Sequence, residues 1–278
     1  MGASLLAISD LHTSHPANRR FAESIEPGSD EDWLIVAGDV ADTFADIEWT
    51  LQLLRGRFRR VVWTPGNHEL WTLKSDPVQL RGDHRYQALV EMCRGLGVHT
   101  PEDEYLRWEE PGDPVLVVPV FVLYDYSFRA LGTRTQAESL AAAYDSGVVC
   151  TDEFLLHPDP YPDRAAWCRA RVAHTERRLA EVDPTTPTVL VSHWPLDRRP
   201  TEILRHPEFA QWCGTELTQG WHTRFRAKVV VYGHLHLSRT TVYDGVRFEE
   251  VSLGYPHERA HRAVRPAVRS VLPGVGPC

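Results

Sequence analysis

The sequence has no apolar run near the roughly 20 residues that a membrane-spanning helix needs. Its N-terminal stretch from Met1 to Leu5 lacks the basic region and cleavage site of a signal peptide. Leu6 also stands where the N-myristoylation pattern requires serine or threonine. These absences argue against membrane insertion, secretion and lipid anchoring, and we expect a cytoplasmic protein with no membrane partner.

Cysteines are few, and their arrangement excludes two further classes of protein. The chain has five, an odd number without a C-x-x-C pair, at positions 93, 150, 168, 213 and 278. Neither a disulfide framework nor a thiolate zinc site is therefore indicated. We expect reduced cysteines that lie mostly in the core.

A basic excess is also missing. The chain has 30 lysines and arginines against 38 aspartates and glutamates, a formal net charge of −8, which argues against general nucleic-acid binding. With 42% hydrophobic and 24% charged residues in 278, the composition fits a globular protein with one large α/β domain. Local arginine clusters occur at 55–60 and 259–269. The sequence does not indicate the oligomeric state.

The stretch Trp33–Ala37 is the clearest starting point for the fold. It is short, apolar and ends at Gly38, as buried parallel strands do, although a buried helix segment has the same pattern. Gly38 permits a turn that presents Asp39 at the carboxyl end of the strand. In open α/β sheets that end is where ligands bind.

Strands and helices alternate along much of the remaining chain. Ile47, Leu51 and Leu54 recur at helical spacing between two apolar runs, which predicts a right-handed βαβ unit. Asp244-Gly245 between two alternating segments predicts a β-hairpin. The predicted strands are 5–9, 33–37, 61–64, 115–122, 188–192, 229–232, 240–243 and 246–251, and the predicted helices are 17–25, 44–57, 86–94 and 163–182. Residues 124–162 are the least regular part, for which we expect mixed helix and loop, and the prolines at 158, 160 and 162 exclude the interior of a regular element there.

Five predicted strand ends carry polar side chains that bind metals in other proteins. They are Asp10 and His12, Asp39 and Asp42, Asn67 and His68, His193, and His234 and His236. Because a sheet aligns strand ends along one edge, we expect these side chains to converge. Carboxylate, imidazole and amide oxygen form a mixed nitrogen and oxygen set that suits zinc, manganese or iron. Each histidine alone is more typical of a surface or core residue, so the prediction depends on the whole set.

Seven candidate ligands are too many for one tetrahedral ion and suit two ions that share a ligand. Asp39 is the natural bridge, with Asp10, His12 and His236 on one ion and Asn67, His193 and His234 on the other. Two cations about 3.5–4 Å apart lower the pKa of a bound water and provide a hydroxide that attacks phosphorus. The alternative for Asn67 is a turn residue after Pro65-Gly66.

Two neighbouring side chains and one loop histidine complete the predicted site. His68 adjoins a ligand without being needed as one, so we expect it to protonate the leaving oxygen. Asp42 is expected to orient His68 through the other ring nitrogen, and an N-cap role for Asp42 is compatible with this. His15 is a candidate phosphate contact, or a solvated loop residue.

The ordered motifs resemble those of a known family. Asp10-x-His12, Gly38-Asp39-x-x-Asp42, Gly66-Asn67-His68-Glu69, His193 and Gly233-His234-x-His236 resemble the five motifs of calcineurin-like metallophosphoesterases, with no ligand position substituted. The fold that this resemblance implies is a four-layer α/β/β/α sandwich. Such an enzyme is a metal-dependent phosphoric diester hydrolase.

Further segments outside these motifs resemble the phosphopantetheinyl hydrolases of actinobacteria. They are 9–13, 32–36, 124–128, 151–156, 212–215 and 243–251, and the resemblance extends from about residue 6 to residue 257. It implies release of 4'-phosphopantetheine from acyl carrier protein, with iron and manganese as the metals. A manganese pair or zinc remains open. We expect one domain over 1–257 and an Arg- and Pro-rich tail over 258–278, whose arginines are either solvated or steer an acidic carrier.

Two other functions remain alternatives at this stage. The same metal motifs occur in phosphodiesterases and phosphatases that act on small molecules such as nucleotides. A metal-free scaffold on this fold is the second alternative, although such scaffolds lose ligand positions and this chain retains all seven.

Overall fold

The structure, a computed structural model, describes residues 2–109, 114–259 and 267–272. Its strands are β1 (Leu5–Ile8), β2 (Trp33–Val36), β3 (Arg60–Trp63), β4 (Leu106–Trp108), β5 (Val115–Pro119), β6 (Thr188–Val191), β7 (Ala227–Tyr232), β8 (Thr240–Tyr243), β9 (Val246–Glu250) and β10 (Arg269–Leu272). Its α-helices are α1 (Pro16–Glu23), α2 (Phe44–Arg55), α3 (Asn67–Leu70), α4 (Gly82–Leu96), α5 (Gln136–Asp145), α6 (Asp152–Leu155), α7 (Arg164–Ala180), α8 (Trp221–Arg224) and α9 (Pro256–Arg259).

The first sheet has the strand order β10-β1-β2-β3. Strands β1, β2 and β3 are parallel, and Ala7 lies opposite Ile35, which lies opposite Val62. Helix α2 connects β2 to β3, so the predicted βαβ unit is confirmed. The carboxyl ends of these three strands therefore meet at one edge, followed by the segments that carry Asp10, Asp39 and Asn67.

The second sheet has the strand order β4-β5-β6-β7-β9-β8. Its four central strands are parallel, and β4 and β8 are antiparallel edge strands. The predicted hairpin of β8 and β9 is confirmed, with Asp244 and Gly245 in the left-handed conformation at its turn. Strands β6 and β7 end at the residues that precede His193 and His234.

The two sheets pack face to face. Alternate residues of both sheets, among them Ala7, Ile35, Val117, Val189 and Val229, form one buried apolar cluster. The opposite faces pack against helices in a second, larger cluster. The predicted four-layer α/β/β/α sandwich is confirmed.

One bridge connects the two sheets at the edge where the ligands lie. The Ser9 N–H donates to Val251 O at 3.0 Å, and the Leu253 N–H donates to Ser9 O at 2.9 Å. The Gly254 N–H then donates to Asp10 O at 3.1 Å. The segment after β9 is thereby held against the end of β1.

The structure differs from the sequence prediction in several segments. Helices α5 and α6 lie in the stretch predicted to be mixed helix and loop, where no helix bounds were assigned, and β4 was not predicted. Arg269–Leu272, placed in the tail by the sequence, instead forms the edge strand β10 beside β1, with Val271 fully buried. Four residues without a repeating pattern give too short a signal for a strand. Residues 260–266 and 273–278, with Arg262, Arg265 and Cys278 of the predicted tail, lie outside the described residues.

The cysteines among the described residues are buried and carry no disulfide; they are Cys93, Cys150, Cys168 and Cys213. In the part of the chain that the structure describes, no helix has both the length and the apolar character that crossing a bilayer requires.

Candidate metal centre

Five of the seven candidate ligands have a left-handed backbone conformation. The φ angles are 52° for Asp10, 43° for His12, 53° for Asp39, 70° for His234 and 54° for His236. Non-glycine residues adopt this region rarely and at a cost of about 1–3 kcal/mol, and such residues cluster at functional sites. Their concentration at one sheet edge points to a site whose geometry the fold enforces.

The first group of ligands forms as predicted from the sequence. Asp10, His12 and His236 each offer one donor atom, and these atoms lie within 4.8 Å of one another. His236 Nε2 lies 3.0 Å from Asp10 Oδ1 and 3.3 Å from His12 Nε2. All three side chains are largely buried, so they present their donors to one small volume.

The second group contains Asp39, His193 and His234, whose donor atoms also lie within 4.8 Å. His193 Nε2 is 3.4 Å from Asp39 Oδ2 and 3.2 Å from Asn67 Oδ1. The structure therefore brings all four residues assigned to this side together.

Asp39 lies between the two groups. Its Oδ2 is 3.4 Å from His193 Nε2 and 3.9 Å from His12 Nε2, so one carboxylate faces both sets of donors. This position fits the bridging role that the sequence predicts. Gly38 is required here because its φ is 83° and a Cβ would lie 2.6 Å from His193 Nδ1.

The polar atoms of the site fit cations. Among the described residues, the buried His234 Nε2 and His12 Nδ1 have no hydrogen-bond partner. Burial, followed by the charge of neighbouring histidines, lowers the pKa of both rings to about 3. Both rings are therefore neutral at physiological pH and keep a lone pair for a metal.

The pKa values of the two carboxylates and of the other two histidines also indicate that the site stabilises positive charge. Burial would raise the pKa of Asp10 and Asp39, but the nearby histidines lower both below the usual range. Burial likewise opposes charge on His193 and His236, but the carboxylates raise their pKa to about 9 and about 10. The carboxylates thus favour the protonated, positively charged form of these two rings. A bound cation would supply the same positive charge in place of the protons.

Hydrogen bonds outside the two groups fix the orientation of the rings. His193 Nδ1 lies 2.8 Å from the carbonyl oxygen of Ala37, and His236 Nδ1 lies 2.8 Å from Glu258 Oε2. When each Nδ1 donates to its oxygen, Nε2 keeps its lone pair directed at the ligand groups. Ser252 Oγ donates to Asp10 Oδ2 at 2.6 Å.

His68 lies beside both groups without belonging to either of the two ligand sets. Its Nδ1 is 2.7 Å from Asp42 Oδ1, and its Nε2 is 3.3 Å from the Tyr255 hydroxyl. Burial would lower the pKa of His68, but the charges of Asp39 and Asp42 raise it instead. The structure thus contains the predicted pair, and the roles of the two residues stay predictions. Asp42 is not the N-cap of α2, because Thr43 accepts from the Asp46 N–H.

A cavity of about 250 Å³ opens onto these side chains, and its lining includes Asp39, Asn67, His68, His236 and Tyr255. His15 is exposed at the start of α1, with its ring centroid 5.4 Å from that of Tyr255. Its backbone N–H donates to His12 O at 2.9 Å, so it lies beside the site. Its predicted contact with phosphate stays a prediction.

Sequence reasoning missed several residues that complete the site. Tyr255 stacks on His12 with ring centroids 4.4 Å apart, and Glu258, which was assigned to the tail, orients His236. Neither residue follows a predicted strand, so no pattern pointed to them. Asp152 lies in one of the segments singled out by the subfamily resemblance, and Trp71 follows a metal motif. The place of Asp152 in that segment and of Trp71 beside that motif was the sequence signal that could have identified these two residues.

Asp152 orients Asn67, which leads to a testable prediction. The buried Asp152 Oδ1 accepts from Asn67 Nδ2 at 3.0 Å and from Trp71 Nε1 at 2.7 Å. This bond directs Asn67 Oδ1 toward His193. We expect Asp152→Ala to weaken metal binding about 10- to 100-fold, the usual effect of losing such a partner. The measurement is a metal titration by calorimetry, with the exposed Asp145→Ala as control. An unchanged affinity in a folded Asp152→Ala variant would contradict this role.

Comparison with known proteins agrees with this geometry. The model of the calcineurin-like phosphoesterase family matches residues 3–238. The [acyl-carrier-protein] phosphodiesterase PptH of Mycobacterium tuberculosis is 56% identical over 269 residues, which cover 97% of this chain and 83% of the relative. The crystal structure of phosphopantetheinyl hydrolase (PptH) from the same organism superposes with a TM-score of 0.97 at 55% identity, covering 98% of this chain and 97% of the other. The chain belongs to the calcineurin-like phosphoesterase family.

Proposed function

We propose that this protein is a metal-dependent phosphodiesterase that releases 4'-phosphopantetheine from holo-acyl carrier protein. The observation that carries the proposal is 56% identity to a relative named as an acyl-carrier-protein phosphodiesterase, across 97% of the chain. All seven candidate ligands are present and lie at one edge of the sandwich, which argues against a metal-free scaffold. No residue-level observation favours a nucleotide over the carrier protein.

The metal assignment is part of the same proposal. Asp10, His12 and His236 would hold one ion, Asn67, His193 and His234 the other, and Asp39 would contact both. Bound cations would polarise the phosphoryl oxygens and lower the pKa of a water molecule. We propose iron and manganese as the pair on the basis of the family resemblance alone, because mixed imidazole, carboxylate and amide ligands accept zinc as well as these two metals. Elemental analysis after reconstitution tests this, and zinc or a manganese pair alone would contradict it.

The need of the leaving serine oxygen for a proton gives His68 its proposed role in the reaction. A new bond forms between water oxygen and phosphorus, and the bond between phosphorus and the serine Oγ of the carrier breaks. The serine oxygen then needs a proton. His68 Nε2 faces the cavity, and Asp42 holds Nδ1 at 2.7 Å in the orientation that leaves Nε2 to donate. Phosphopantetheine leaves with its own ester oxygen and the oxygen gained from water on phosphorus, and the carrier, with its serine hydroxyl restored, returns to its apo form.

We also propose the cytoplasm as the location of this reaction. The described cysteines are all buried thiols without disulfides, as expected in a reducing compartment. The carrier protein is the partner that the proposal requires. The prediction of one domain over 1–257 also stands as a proposal, with the addition that β10 from the predicted tail joins its first sheet.

Intact-protein mass spectrometry of a holo-acyl carrier protein tests the function directly. We expect the manganese-supplemented enzyme to remove the whole phosphopantetheine mass, and Asp39→Asn and His68→Ala to remove little or none. His174→Ala is the matched control, because His174 pairs with Glu102 away from the ligand groups. An unchanged carrier, with an aryl phosphodiester still cleaved, would reject the substrate and favour a small-molecule phosphodiesterase.

A further inference from the structure

A second cavity of about 440 Å³ adjoins the metal centre and has no role in the chemistry described so far. It shares four lining residues with the first cavity: Phe209, Leu235, His236 and Glu258. Its volume lies within the range of about 300–1,000 Å³ that is typical of small-molecule sites. We call this second cavity the side groove.

The walls that belong to the side groove alone are mainly apolar. Val148, Leu204 and Leu237 line it, together with Arg205 and His206. Apolar walls with a few polar groups are the usual composition of a site for an elongated, uncharged ligand. The guanidinium of Arg205 can donate hydrogen bonds to carbonyl oxygens, and it has no acceptor atoms of its own.

The side groove combines Leu235 and His236 of one metal motif with segments that lie outside the five motifs. Val148, which follows α5, lies in one wall, and the 3-10 helix Pro207–Trp212 with the residues before it forms another. Ser146 Oγ donates to Glu208 Oε1 at 3.3 Å, and Gln211 Nε2 donates to Ser139 O at 3.3 Å. These bonds hold the two segments together, so the groove is an ordered feature of the fold.

We propose that the side groove binds the pantetheine arm of the substrate while the phosphodiester lies at the metal centre. This inference rests on the proposed function. The arm is an uncharged chain with a geminal dimethyl group near the phosphate and two amides farther along. The shared walls Phe209 and Leu235 are suited to the dimethyl group, and Arg205 is suited to an amide carbonyl.

This placement also selects which of the two phosphoester bonds breaks. The described lining of the side groove includes His236 but not His68, whereas the cavity at the metal centre contains both. An arm in the side groove therefore enters from the His236 end of the site. The serine ester is left for the His68 end, where its oxygen receives the proton. Hydrolysis then yields the serine hydroxyl of the apo-carrier and 4'-phosphopantetheine, and not pantetheine and a phosphoserine in the carrier.

Contacts to the pantetheine arm are remote from phosphorus, so the test compares a substrate that carries the arm with one that lacks it. Remote contacts position the reacting group and contribute to catalysis only for substrates that carry the arm. We expect Leu204→Trp, which fills the groove, to lower kcat/KM for holo-carrier about tenfold or more. Cleavage of bis(p-nitrophenyl) phosphate, which lacks the arm, is expected to stay within about twofold of wild type. Ile203→Trp is the matched control, since Ile203 is half exposed and is not among the described lining residues.

Binding measurements provide a readout that does not depend on turnover. Ligand-observed NMR with pantetheine, which has no phosphate, is expected to show binding to wild type and to Ile203→Trp, and weaker binding to Leu204→Trp. Inhibition of aryl diester cleavage by 4'-phosphopantetheine is expected to weaken about tenfold in Leu204→Trp, while inhibition by inorganic phosphate is unchanged. If Leu204→Trp does not fold, Leu204→Ala serves, with the same direction of effect.

The outcomes separate this inference from the proposed function. If wild type and Leu204→Trp cleave holo-carrier equally well, the function stands and the side groove is not the arm site. Equal pantetheine binding by both proteins would overturn the inference in the same way. If wild type does not cleave holo-carrier but cleaves the aryl diester, the function fails and the inference fails with it.

Discussion

Asp39→Asn is expected to lower kcat/KM for phosphodiesters by about a thousandfold or more and to reduce the metal content below two ions per chain. The physical reason is the position of Asp39 Oδ2, which lies 3.4 Å from His193 Nε2 and 3.9 Å from His12 Nε2. An amide has nearly the same shape but no negative charge, so it cannot serve two cations equally. Transition-state stabilisation by bound cations is worth several kcal/mol, and each 1.36 kcal/mol is about tenfold in rate.

The measurement combines elemental analysis with steady-state kinetics on both the holo-carrier and an aryl diester. Asp145→Asn is the control, because that side chain is exposed at the end of α5 and removes the same charge elsewhere. Loss should be similar for both substrates, since the bridging position does not contact the leaving group. An Asp39→Asn variant that keeps two ions with wild-type affinity would rule out a bridging role.

The ligand set was predictable because its determinants are local in sequence. Each of Asp10, Asp39, Asn67, His193 and His234 follows an apolar strand within four residues, and parallel strands place their carboxyl ends on one edge. The pattern thus predicts convergence without knowledge of the loops. It also predicted a division into two groups. In the structure Asp10, His12 and His236 lie in one cluster and Asp39, His193 and His234 in another, and the assignment of metals to them stays a prediction.

The residues that surround the ligands were not predictable, because non-local contacts position them. Tyr255 reaches His12 and His68 only because the Ser9–Ser252 bridge holds the end of β9 against the end of β1. Ser9 and Ser252 are 243 positions apart along the chain, and so are His12 and Tyr255. Strand β10 beside β1 has the same cause, and its four residues carry no periodic signal.

The segments that form the side groove show a different limit of prediction from the sequence. Residues 124–162 were expected to be mixed helix and loop, and the prolines exclude a regular element only over 158–162. Helix α5 forms before these prolines, with Thr135 and Glu138 as a reciprocal capping box, but the sequence pattern did not assign its bounds. Its placement against the 3-10 helix Pro207–Trp212 is set by tertiary packing, which propensity does not report.

The second large effect is expected for His68→Ala, and it should depend on the leaving group. A serine alkoxide is a poor leaving group and requires a proton, so loss of the acid should lower kcat/KM for holo-carrier about 10²- to 10⁴-fold. p-Nitrophenolate leaves without protonation, so cleavage of bis(p-nitrophenyl) phosphate should fall by about tenfold at most. His174→Ala should leave both rates unchanged. Equal losses on the two substrates would indicate that His68 supports the site structurally and does not donate the proton.

The pH dependence distinguishes proton donation from positioning. An acid is active only while it holds its proton, so the rate on holo-carrier should fall as the pH rises through the pKa of His68. Asp39 and Asp42 raise that pKa against the effect of burial. Asp42→Asn keeps a hydrogen-bond acceptor 2.7 Å from Nδ1 but removes one of the two charges. The alkaline limb should therefore move to lower pH in Asp42→Asn and disappear in His68→Ala. A limb that stays in place in Asp42→Asn would assign the ionisation to another group.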